Sequence, residues 1–139
     1  FLAGMVLGGR DGALSQVLYV ALIAAGLPLD ARGLGAAVFA GPTWGYLIGF
    51  IPCAFVAGTL VERAGTRVWQ RVLAGLAGSV CVFALGFIVL KLNTGLTWDA
   101  AFTTGVLNFM PENFAKALVA GALTEGARAS LLRLLTPTI

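Results

Sequence analysis

The sequence has no histidine and few charges: nine Lys and Arg and six Asp and Glu among 139 residues, 11% of the chain. Without histidine, most imidazole-based catalysis and metal ligation are excluded. A soluble domain carries about 25% charged residues to cover its core with groups that water solvates, and this chain has too few to do so. Its two cysteines, Cys53 and Cys81, lie inside apolar runs with neither C-x-x-C spacing nor histidine partners, so they read as small hydrophobes. The phosphate-cradling pattern G-x-x-x-x-G-K-[ST] is nowhere in the chain. No Ser or Cys has an identifiable base, and Glu112 and Glu125 stand far apart on one helix, so an enzyme is not expected. No cofactor is implied, and a net charge of +3 is too modest to argue for a nucleic-acid partner.

What the chain does have is apolar length. Hydrophobic residues make up 59% of it and the mean hydropathy is +0.95. Between Arg32 and Glu62 lie 29 residues without a charge, and Val72 to Leu90 gives 19 more. Both exceed the roughly 18 residues that argue for a transmembrane helix. The expected fold is an all-α integral membrane protein, one transmembrane helical domain over residues 1–139. Its first eight residues, FLAGMVLG, lack the basic n-region and cleavage site of a signal peptide. They read as the end of a helix already under way, so upstream helices are expected.

Five apolar segments follow from the pattern. After the remnant Phe1–Gly8, a helix is expected over about Gly12–Leu29, stopped by Gly26-Leu27-Pro28. A Gly- and Ala-rich stretch, 31–41, leads to a helix over Pro42–Val61 that contains Pro52 and should bend there. A long helix is expected over about Val68–Leu92, then Trp98–Phe109, which Pro111 separates from a last helix over about Glu112–Ala127. Gly4, Gly8 and Gly12, like Gly41, Gly45 and Gly49, recur every fourth residue. Small residues at that spacing let helices approach closely in a bilayer, here within one bundle rather than between copies.

If loops alternate sides, Arg10, Arg63, Arg67, Arg71, Arg128 and Arg133 share one side, and Arg32 and Lys91, balanced by Asp30 and Asp99, share the other. The positive-inside rule puts the six-arginine side, and with it the C-terminus, in the cytoplasm.

A charge within a membrane helix costs ~2.5–3.5 kcal/mol on insertion scales and is a functional candidate by default. Lys116 is that candidate, expected near the outer surface one turn into the last helix. Asn113, three residues earlier, shares its face, and Pro111 leaves the helix N–H groups free to meet an anion. A cation, a two-way amide and a helix start suit a small ligand with a carboxylate and a polar ring. Two other readings of Lys116 stand beside this one: it snorkels to the headgroups, or it pairs with Glu112 at i, i+4. In AGPTWGYLIGF (40–50), Thr43 offers a hydroxyl and Tyr46 an aromatic wall with a polar end. Trp44, Trp69 and Trp98 read as interfacial belt residues.

Three segments together resemble the BioY family, the biotin-binding S components of energy-coupling-factor (ECF) transporters. LGGRDGALSQVLYVALIAAGLP (7–28) is similar to the family's basic turn and Tyr-containing helix ending in G-L-P. VFAGPTWGYLIGF (38–50) resembles its G-P-T-x-G-Y-L-x-G-F signature, and FMPENFAK (109–116) its P-x-D-x-x-K motif. The resemblance implies a six-helix bundle with a site open to the outside, its first helix and most of the second lying upstream of Phe1. It implies biotin as ligand, with Lys116 on the carboxylate and Asn113 on the ureido ring, and Gly41, Pro42, Thr43 and Tyr46 shaping the apolar wall. It further implies a multi-pass protein of the bacterial cytoplasmic membrane, energised by a transmembrane coupling protein and two ATPase subunits, although some members work without dedicated ones. Two positions depart from the pattern: Asn113 replaces the aspartate, and Trp44 fills a position usually small. Asparagine can accept from a ureido N–H or donate to the ureido carbonyl, without the stronger charge-assisted bond. Recognition is therefore expected to survive, weakened. A self-sufficient channel or secondary transporter for another small solute ranks behind, because no internal repeat of the kind such carriers show is visible. A purely structural subunit would leave Lys116 without a purpose.

Overall fold

The computed structural model describes residues 1–63 and 67–135. Among them are six α-helices: α1 (Leu2–Leu7), α2 (Gly9–Ala24), α3 (Trp44–Arg63), α4 (Val68–Thr94), α5 (Trp98–Gly105) and α6 (Met110–Leu135). Two 3₁₀ turns, Gly35–Ala40 and Leu107–Phe109, precede α3 and α6. Among the described residues two helices, α3 and α4, are long and apolar enough to cross a membrane. Large apolar side chains stand exposed along α2, α4 and α6, among them Leu14, Leu18, Leu73, Val80, Leu118 and Leu123. Apolar surface that continuous is unusual for a soluble monomer and suits a protein solvated by lipid.

Helices α3 and α4 form the central antiparallel pair, held by close backbone approach. A Cβ on Gly45 would meet the Leu85 carbonyl oxygen at 2.5 Å, and one on Gly49 would meet Val82 Cα at 2.7 Å. From α4, Gly78 lies as close to the Cys53 carbonyl, 2.7 Å from where its Cβ would be. The Gly45 and Gly49 face is thus an intramolecular contact, as its spacing suggests, while Gly41 has only ordinary contacts. Gly4, Gly8 and Gly12 do not form one helical stripe. Gly8 has φ +95°, which only glycine adopts readily, and it ends α1 and starts α2. The chain folds back there, so Gly12 packs on the backbone of Gly4, and Gly4 in turn on the Ala54 carbonyl of α3.

Two apolar clusters fill the bundle. Met5, Ala57, Val61, Ala74 and Ala120 join α1, α3, α4 and α6. Val20, Ile23, Val38 and Leu47 join α2, the first 3₁₀ turn and α3.

Helix ends differ from expectation for local reasons. Helix α2 stops at Ala24 rather than near Leu29, with Gly26 at φ +100°; Leu27-Pro28-Leu29 is apolar but belongs to the loop. Pro42 and Thr43 form the turn before α3, whose first residue is Trp44, and Tyr46 N–H bonds the Thr43 carbonyl. Helix α3 runs unbroken through Pro52. Helix α4 continues to Thr94, capped by left-handed Gly95. The segment Trp98–Phe109 is a helix and a 3₁₀ turn rather than one helix, and α6 extends to Leu135, carrying Arg128 and Arg133 on the helix itself.

The six arginines gather at one end. Arg63 closes α3, and Arg67 and Arg71 flank the start of α4. Arg10 follows Gly9, which packs on Thr59, and Arg128 Nη1 reaches the Met5 carbonyl at 3.4 Å. The opposite end holds Asp30, Arg32, Lys91 and Asp99, with the Lys91 ammonium 5.2 Å from the centre of the Trp98 ring.

Candidate functional site

A broad cavity of about 1140 Å³ runs between α2 and α3 on one side and α5 and α6 on the other, with α4 behind it. Pockets that hold small organic ligands are typically about 300–1,000 Å³, so a vitamin-sized molecule fits with room to spare. Its walls are mostly apolar and aromatic: Tyr19, Tyr46, Phe50, Phe83 and Phe109. The polar lining is sparse: Asp30 and Arg32 at the loop end, Thr43, Thr104 and Asn108 along the walls, and Ser79, Glu112, Asn113 and Lys116 deeper in. Few polar groups on an apolar wall is the pattern of a site that orients one small ligand.

The deep cluster is placed by the interruption between α5 and α6. Tyr46, one turn into α3, donates from Oη to the Gly105 carbonyl at 2.8 Å, and its ring packs 6.4 Å from that of Phe109. Gly86 and Gly105 make room for that ring and hydroxyl; a Cβ on either would collide with Tyr46. The chain is thereby drawn inward before α6 starts. Asn113 Nδ2 then donates to Ser79 Oγ at 2.9 Å, and Ala117 faces Gly75. Ser79 lies roughly 22 Å along α4 from its Thr94 end and about 16 Å from its Val68 end, at 1.5 Å per residue.

Lys116 is therefore set at mid-depth, not near the outer surface as its position after Pro111 suggested. Lys116 Nζ lies 2.6 Å from Glu112 Oε1, with the two side chains 64% and 58% exposed. The i, i+4 pairing anticipated as one alternative for Lys116 is thus present, on the cavity lining. Asn113 and Lys116 share the α6 face that lines the cavity, and Thr43 and Tyr46 line it from α3 and the turn before it. Gly41 and Pro42 are outside the lining; they act at a remove, by turning the chain into α3. Tyr46 presents its ring, since its hydrogen is given to Gly105. The Glu125 side chain, weighed in the sequence beside Glu112, lies outside the described residues.

The loop end is ordered by one carboxylate. Asp30 Oδ1 accepts the Gly35 N–H at 2.8 Å and Oδ2 the Arg32 N–H at 3.1 Å. Desolvation works to raise the Asp30 pKa, but the backbone amides of Gly35, Arg32 and Leu34 outweigh it and hold the carboxyl below its ordinary 3.8. Gly35 takes φ +56°, and a side chain there would press within 2.7 Å of the Gly26 carbonyl. Tyr19 Oη donates to the Leu29 carbonyl at 3.1 Å, tying α2 to the same loop.

Ser79 is the functional candidate that sequence reasoning passed over. The signal was there: it carries the only hydroxyl in the uncharged run Val72–Leu90. Phe50, Phe83 and Phe109 also line the cavity, and nothing short of the fold separates a cavity wall from a lipid- or core-facing phenylalanine.

Comparison with known proteins agrees with this picture. The family model described as "BioY family" matches residues 1–133. A biotin transporter BioY of Rhodobacter capsulatus is 42% identical over 139 aligned residues, covering 89% of this chain and 72% of the relative. A probable biotin transporter BioY of Lysinibacillus sphaericus is 33% identical, covering 90% and 67%. In three dimensions the chain is similar to the crystal structure of the S-component for biotin from an ECF-type ABC transporter. The TM-score is 0.83 at 25% identity, over 92% of this chain and 70% of that one.

Proposed function

This chain belongs to the BioY family, and from that premise we infer that it is the membrane substrate-binding subunit of a biotin importer, not an enzyme. The observation that carries the reading is one cavity holding a cation and an amide on a single helical face, opposite an aromatic wall. Biotin offers a carboxylate at one end and a ureido ring at the other. Lys116 answers the first and Asn113 the second, while Tyr46 and Thr43 bound the apolar middle and Gly41 and Pro42 set the entry of α3. Glu112 stands opposite Lys116 as its ion-pair partner. An incoming carboxylate exchanges with it, so the lysine charge is compensated in both states, which a group at membrane depth requires.

This 139-residue chain contains no phosphate-binding loop motif, and the subunit works with an ECF module, whose parts are a transmembrane coupling protein and two ATPase subunits. It spans the bacterial cytoplasmic membrane as a single helical domain. The arginine-rich end and the C-terminus face the cytoplasm, and the cavity's loop end faces outward.

Biotin binding by the purified full-length protein in nanodiscs, beside its Lys116→Ala variant, tests the assignment. Loss of a hydrogen-bonded charge partner is worth about 1.5–3 kcal/mol, or roughly 10- to 150-fold in affinity. Undiminished binding by the variant would move the carboxylate site elsewhere, and a folded wild type that ignores biotin would end the vitamin assignment.

A further inference from the structure

Ser79 is the one polar group of the deep cluster to which biotin recognition assigns nothing. It is 4% exposed, in the middle of α4, and lines the cavity. A hydroxyl has a single hydrogen to give. Ser79 gives it to the Leu76 carbonyl at 2.7 Å, the back-bond that serine makes within its own helix. Toward Asn113, 2.9 Å away, Ser79 can then only accept. The Asn113 atom facing it has to be the amide nitrogen, which settles the orientation of an otherwise two-fold ambiguous group. The Asn113 carbonyl oxygen is left on the other side of the amide, with no hydrogen-bond partner among the described residues. An amide able to offer the cavity either a donor or an acceptor is turned to offer an acceptor.

We propose that Ser79 is a positioning residue: by engaging the Asn113 amide nitrogen, it presents the Asn113 carbonyl oxygen to a ring N–H of the bound ligand. Ser79 thereby makes asparagine serve as an acceptor at a position where the related motif has an acceptor-only carboxylate. It follows that the site selects rings that donate an N–H at this point over rings that present only a carbonyl. The inference rests on the biotin reading and deepens it.

The test is a double-mutant cycle on biotin affinity, measured by titration calorimetry in nanodiscs for wild type, Ser79→Ala, Asn113→Asp and the double variant. A carboxylate offers acceptor oxygens whichever way it turns, so it needs no such orientation. Ser79→Ala should weaken biotin about 3- to 10-fold when residue 113 is asparagine, the worth of one neutral hydrogen bond. In the Asn113→Asp background the same change should cost less than about 2-fold. Ser79→Cys, of similar size but a poor acceptor, is a second way to remove the interaction and should give the same pattern. Equal losses in both backgrounds, or no loss with asparagine present, would overturn the positioning role and leave biotin recognition standing. A folded wild type that binds no biotin would overturn both.

Discussion

At the scale of single residues, polar side chains here act mostly by fixing other groups. Asp30 illustrates it: one carboxylate accepts two backbone N–H groups and shapes the loop at the cavity's open end. Its folded pKa lies below the ordinary value. Its contribution to the loop is therefore complete above the unfolded pKa and lost as pH falls through the lower, folded one. The amide resonances of Arg32 and Gly35 should titrate together with a midpoint below 3.8, and Asp30→Ala should speed hydrogen exchange at both amides at neutral pH. A midpoint at or above 3.8 would remove the backbone bonds as the cause. The site was half legible at this scale. Lys116 and Asn113 could be placed on one helical face from their spacing alone, whereas Thr43 and Tyr46 could be placed in the same site only through the family resemblance. What spacing cannot supply is a partner 34 residues away, so Ser79 stayed hidden inside an apolar helix.

Among whole elements, the bundle depends on how near α3 and α4 come. Gly49 has Val82 Cα where its Cβ would be, 2.7 Å away, whereas nothing lies within 4 Å of the Cβ position at Gly126 on α6. Gly49→Ala should cost about 1–3 kcal/mol through forced separation of the helices. Gly126→Ala should be neutral or stabilising by up to about 1 kcal/mol, from helix propensity alone. Thermal unfolding in detergent separates the two, and equal effects would show that helix propensity rather than contact decides. The sequence located every long helix, because uncharged runs and periodic glycines report directly on lipid and on close packing. It misjudged their ends. Leu27-Pro28-Leu29 looked like helix because hydropathy cannot see the backbone reversal at Gly26, and α6 was cut short because arginines were read as loop rather than as the charged end of a helix. The Gly4, Gly8, Gly12 series does pack closely within the bundle, as expected, but on two helices rather than one face, because the helix breaks at Gly8.

For the molecule as a whole, the two ends differ in charge, and the proposed orientation in the membrane rests on that difference. In a variant with Cys53 and Cys81 replaced, Asn93→Cys should react with a membrane-impermeant maleimide added to intact cells. Ser130→Cys, between the last two arginines, should react only after lysis. The reverse pattern would invert the orientation. That the arginines share one end was readable from loop order alone. The depth of Lys116 was not, since it depends on how far the Tyr46–Gly105 bond draws the chain inward before α6 begins.

That interrupted passage has a further consequence, for water. Where α5 ends at Gly105 and the chain turns through Leu107–Phe109, the regular helical ladder stops and local partners take over: Tyr46 Oη donates to the Gly105 carbonyl, Val106 N–H to the Phe102 carbonyl and Phe109 N–H to the Val106 carbonyl. Thr104, Gly105, Asn108 and Phe109 at the break all line the cavity. What the break leaves over faces the cavity rather than lipid, as irregular backbone in a membrane must. Ligand capture is then an exchange of solvent for an organic molecule against an aromatic wall, and its heat-capacity change should be negative in proportion to the apolar surface dried.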